Sequence, residues 1–69
     1  MKVDDVVIFT NIESTYAKWF YGQIGLVENY STKPDGSASC RVRWLQPVKY
    51  FKTHSTVSDF SASNFEVHK

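Results

Sequence analysis

The sequence predicts an all-β fold, a small five-stranded barrel with a long loop between strands 1 and 2 and a single 3-10 turn before the last strand. Three observations carry that expectation. Short runs of β-branched and aromatic residues recur along the chain, bounded by turn residues. Pro34-Asp35-Gly36 is the strongest turn signal and separates two of those runs, so it marks a hairpin tip. With 69 residues and one cysteine, Cys40, no internal disulfide can form, and short antiparallel strands must hide their edges by closing on one another. This length makes one domain, residues 1–69, with a core limited to about 60% burial of the unfolded surface.

Taken in order, Val6-Val7-Ile8-Phe9-Thr10 reads as the first strand. Residues 11–21 hold Ile12, Tyr16, Trp19 and Phe20 at roughly helical spacing. The run is short and aromatic, so it reads as a long ordered loop with room for one helical turn. Residues 22–30 form a strand whose Gly22 and Gly25 suggest a bulge or sharp bend. Ser39 to Leu45 alternates cleanly, with Cys40, Val42 and Trp44 inward and Arg41 and Arg43 outward. Gln46-Pro47 interrupts that pattern, and Val48 to Lys52 resumes a short edge strand. Polar residues 53–59 read as a loop, residues 60–64 as a single helical turn, and Phe65-Glu66-Val67 as the closing strand.

Composition excludes several classes of function. A hydrophobic fraction of 42% with 22% charged residues describes a chain that folds. No apolar stretch approaches the roughly 20 residues that span a bilayer, and Met1 to Asp5 has no signal-peptide core, so a cytoplasmic module is expected. Net charge is only +1, far below that of a usual duplex-DNA binder. Its distribution is more informative. No acidic residue falls between Asp35 and Asp59, while Arg41, Arg43, Lys49 and Lys52 all do. Such a patch steers an acidic partner or touches phosphates.

Catalytic and metal constellations are missing from the pattern. Cys40 with His54 offers a thiol and a base, but Cys40 shares the inward face of Val42 and Trp44 and reads as core. Cys40, His54 and His68 lack the paired spacing of a zinc site, so no metal or other cofactor is expected. The aromatics carry more weight. Tyr16, Trp19, Phe20, Tyr21, Tyr50 and Phe51 all fall in loops or on an edge, where some plug the barrel ends and others bind peptides or bases. Trp19, Tyr21 and Tyr50 are the candidates for exposure.

The order strand, long loop, Gly22-x-x-Gly25-x-Val27, hairpin, Val42-Arg43-Trp44, one turn, Phe65-Glu66-Val67 resembles an SH3-like barrel. More narrowly it is similar to the photosystem I subunit IV family. Glu13-Ser14, Trp19 to Val27, Val42-Arg43-Trp44, Val48-Lys49-Tyr50 and Asp59 to Phe65 match segments of that family in order. The resemblance implies a non-catalytic subunit on the cytosolic face of the thylakoid that helps ferredoxin dock. An acidic electron carrier needs a basic face, and Arg43 matches that family's strand arginine. Arg41, Lys49 and Lys52 join it by charge and expected exposure. Two other likenesses set the alternatives. Gly-x-x-Gly-x-Val also occurs in nucleic-acid-binding barrels of the KOW type, and small phage SH3-like proteins end in a similar pattern and would bind a host or viral protein. The expected function is therefore a binding module, with an acidic protein as its partner (a ferredoxin or photosystem complex) and nucleic acid as the alternative. Its contact residues are Arg41, Arg43, Lys49, Lys52, Trp19, Tyr21 and Tyr50.

Overall fold

The computed structural model describes residues 1–68. These form five antiparallel strands, β1 (Val6–Phe9), β2 (Ile24–Thr32), β3 (Ala38–Tyr50), β4 (Thr53–Ser61) and β5 (Phe65–Val67), in one sheet of order β4-β3-β2-β1-β5. A four-residue helix, α1 (Ala17–Phe20), lies in the loop between β1 and β2, and a 3-10 turn (Ala62–Asn64) leads into β5. No helix among the described residues is long and apolar enough to cross a membrane.

Topology alone forces this sheet to curl. Laid flat, five strands at the usual spacing would put β4 and β5 about 19 Å apart. Those two edge strands are consecutive in the chain, and the segment from Ser61 to Phe65 reaches only about 8 Å when wound as a 3-10 turn. The sheet therefore bends until its edges meet across the core. Phe60 of β4 and Phe65 of β5 lie 6.0 Å apart, and Phe9 of β1 touches both, at 5.3 and 5.4 Å.

Two irregularities supply the curvature. The β2–β3 register shifts between Val27 and Asn29, so the bulge lies at Glu28 and not at the glycines. Gly25 serves a different need. A Cβ there would collide with the Val42 side chain and come within 2.9 Å of the Arg43 carbonyl oxygen. Gly22, at φ +81, makes the turn that returns the loop to β2, and its N–H bonds to the Phe9 carbonyl. The second irregularity falls in β3, where Trp44 to Pro47 face only Thr56 of β4. Pro47 does not end the strand, because it sits in this unpaired stretch where no ladder N–H is needed.

Residues 53–59 form most of β4 and are not a loop. Their Ser and Thr residues give no sign of a strand because this edge is largely solvated. It nevertheless pairs with β3 from Tyr50–Thr53 to Ser39–Ser61, and its β-branched residues suit that ladder. The expected helical turn is correspondingly shorter, since Phe60 and Ser61 belong to the strand.

The core comprises Val7, Phe9, Phe20, Val27, Cys40, Val42, Trp44, Val48 and Phe65. Phe20, delivered by α1, stacks on Trp44 at 5.2 Å and so caps one end of the curled sheet. Asn64 anchors the loop start, its carbonyl accepting from the Thr10 and Asn11 N–H groups. Side chains Asn11 and Asn64 bond to each other at 2.9 Å. Buried Trp44 donates its indole N–H to Ser58 Oγ at 3.0 Å, and Ser58 Oγ lies 2.7 Å from Ser55 Oγ. Ser55 donates in turn to the Val57 carbonyl, spanning the Thr56 position where the β3–β4 ladder is interrupted.

Two stability measurements follow. Gly25→Ala should lower the urea-unfolding free energy by about 1–3 kcal/mol through overpacking against Val42. Ser58→Ala should cost a similar amount, about 1–3 kcal/mol, by stranding the buried indole N–H, with a matching change in tryptophan fluorescence.

Candidate functional site

Each arginine of β3 meets an acid from a neighbouring strand. Arg41 Nε lies 3.0 Å from Asp59 of β4, its register partner, and Arg43 Nε lies 2.6 Å from Glu28 at the β2 bulge. The stretch that lacks acids in sequence is therefore lined by them in space. Both pairs are solvent-exposed and each is worth about 0–1 kcal/mol, yet they cancel the arginines' field locally. Hydrogen bonding to Asp59 raises the Arg41 pKa further and keeps that guanidinium charged.

The lysines are arranged differently. Lys49 alternates with buried Val48 and half-buried Tyr50, so it faces outward, opposite His54. Lys52 lies in the two-residue turn joining β3 to β4. Lys18 of α1 places Nζ 4.3 Å from the Trp19 ring centroid, a cation–π contact. Among the described residues, none of these three lysines forms an ion pair.

Trp19 and Tyr50 come together, with ring centroids 4.8 Å apart, whereas Tyr21 makes no ring contact with them. The structure adds two aromatics to the expected contact set. Phe51 lies 4.7 Å from Trp19 and 4.5 Å from Tyr50, and Tyr16 lies 6.1 Å from Tyr50 and 5.5 Å from Phe60. These rings continue into a shallow groove of about 250 Å³ between α1 and β4, floored by Phe20 and Phe60 and walled by Tyr16, Ser55 and Ser58. Among the described residues, the only carboxylate on its lining is Asp59, the one held by Arg41. The part played by Tyr16 and Phe51 depends on α1 and the β3–β4 turn meeting, which no local pattern in the sequence reports.

Tyr21 is 55% exposed and lies elsewhere, next to a second groove formed by Gly22, Gln23, Ile24, Leu45 and Gln46. Cys40 is buried opposite Phe60, while His54 is exposed opposite Lys49, so strand register keeps thiol and imidazole apart. Burial, and secondarily the Asp59 charge, push the Cys40 thiol above its ordinary pKa. In the folded protein Cys40 should therefore resist iodoacetamide at neutral pH, and it should react fully once urea unfolds the chain. Mass spectrometry of the alkylated protein checks this. No family model, curated protein or solved structure matches the chain, so nothing beyond its own residues links it to the photosystem I subunit IV family or to any other.

Proposed function

We propose that this protein is a non-catalytic docking module that takes an acidic, extended segment of a partner protein into the groove between α1 and β4. One observation carries the reading: the sorting of charge around the rings. Arg41 and Arg43 are spent on Asp59 and Glu28, whereas Lys18 and Lys52 adjoin Trp19 and Phe51 without a carboxylate of their own among the described residues. Aromatic rings supply the contact area that dominates binding energy, and unpaired cations at their rim favour an acidic partner and speed its approach. A ferredoxin bound at a photosystem complex on the thylakoid face is one partner of that chemistry, as the family resemblance implies. Base stacking has less support, because Lys18 already occupies a face of Trp19 that a nucleobase would need.

Selection from a displayed library of random peptides tests the reading. Sequences enriched in Asp and Glu beside aliphatic or aromatic residues are expected, with affinities that fall as salt rises. Backbone amide shifts on binding should cluster at residues 16–20, 49–53 and 55–60. Lys18→Glu combined with Lys52→Glu should weaken binding about tenfold or more, while Arg43→Ala, whose partner Glu28 lies off the groove, leaves it within about twofold. A footprint centred on the two arginines, or no enriched sequence at all, refutes the proposal. Tighter binding of oligouridine than of any selected peptide moves the function to single-stranded nucleic acid.

A further inference from the structure

Among the described residues, four adopt a left-handed φ: Asp4 (75°), Gly22 (81°), Phe51 (55°) and Gly36 (90°). At two of these the chain uses glycine, which has no Cβ to clash, and at Asp4 it uses a short polar residue that tolerates the conformation. Phe51 is the exception. It is the first of two residues linking the paired Tyr50 and Thr53, a position that Gly, Asn or Asp fills at little steric cost. Core packing does not offset the strain, because Phe51 is 63% exposed. Its ring meets only Tyr50 and Trp19 among the described aromatics, and Tyr50 lines the groove.

We infer that Phe51 is the anchor of the docking surface, held out beside Trp19 by a strained turn so that the bound segment closes over its ring. The inference rests on the docking reading and deepens it. Strain of this kind persists where function needs it, and the same chain's use of Gly22 and Gly36 shows the stable solution it forgoes here. Lys52, next in the chain, then stands beside the anchored side chain, so the segment presents an apolar residue with a carboxylate adjacent to it.

Thermal unfolding and affinity for the selected peptides are measured on wild type, Phe51→Asn and Phe51→Trp. Phe51→Asn should melt at the same temperature or about 4–8 °C higher, as the turn relaxes, and bind at least about tenfold more weakly. Phe51→Trp should keep its affinity within a few-fold. If wild type binds and Phe51→Asn binds equally well, Phe51 is not the anchor and the docking reading stands without it. If Phe51→Asn melts lower, the ring is a structural brace and the inference falls. If wild type enriches no peptide, the docking reading fails and takes the anchor with it.

Discussion

A three-residue connection between the two outermost strands governs this molecule. Because Ala62 to Asn64 joins β4 directly to β5, the sheet cannot lie flat, and every other feature accommodates its curl. The bulge at Glu28 bends β2, so that its first half pairs with both neighbours and its second half with β3 alone. Gly25 lets the Val42 side chain approach the β2 backbone closely. Phe9 fills the space between the meeting edges, and the long loop folds back to supply Phe20 as a plug.

Curling also decides which charges act outward. Strand alternation places both arginines on the convex surface, and pairing with β2 and β4 brings an acid to each. The lysines escape that neutralisation, Lys18 and Lys52 because they lie outside the ladder and Lys49 because its register partner is His54. Aromatic residues follow the same division: Phe9, Phe20 and Phe65 are consumed by the core, while Tyr16, Trp19, Tyr50 and Phe51 gather where α1 approaches the β3–β4 turn. Of the second group Tyr16 and Phe51 are exposed, while Trp19 and Tyr50 still pack partly against the core.

Much of this is legible in the residues, for reasons that are local. Alternation in Ser39 to Leu45 reports one buried face directly, and Pro34-Asp35-Gly36 reports its turn through backbone chemistry. The closing Phe65 to Val67 strand is equally readable. What escapes is set by partners distant in sequence. The strand character of 53–59 depends on a ladder with β3, because a solvated edge has no hydrophobic signature. Pro47 looks like a terminator because the bulge that excuses it involves Thr56. The basic patch looks unopposed because Glu28 and Asp59 become its neighbours only through register. Phe51 carries no sequence signal for a related reason: its strain is a property of the turn and not of its neighbours in the chain.

The irregularity of β3 opposite Thr56 has one further effect. A long outer strand with open amides and carbonyls is a template onto which identical chains can stack, and β4 lacks the prolines and lysines that commonly block such growth. Its ladder with β3 is interrupted at Thr56, which faces the four residues Trp44 to Pro47, so β4 is paired only at Thr53 to Ser55 and at Val57 to Ser61. Irregularity of this kind along a sheet edge is one device by which open strands discourage stacking.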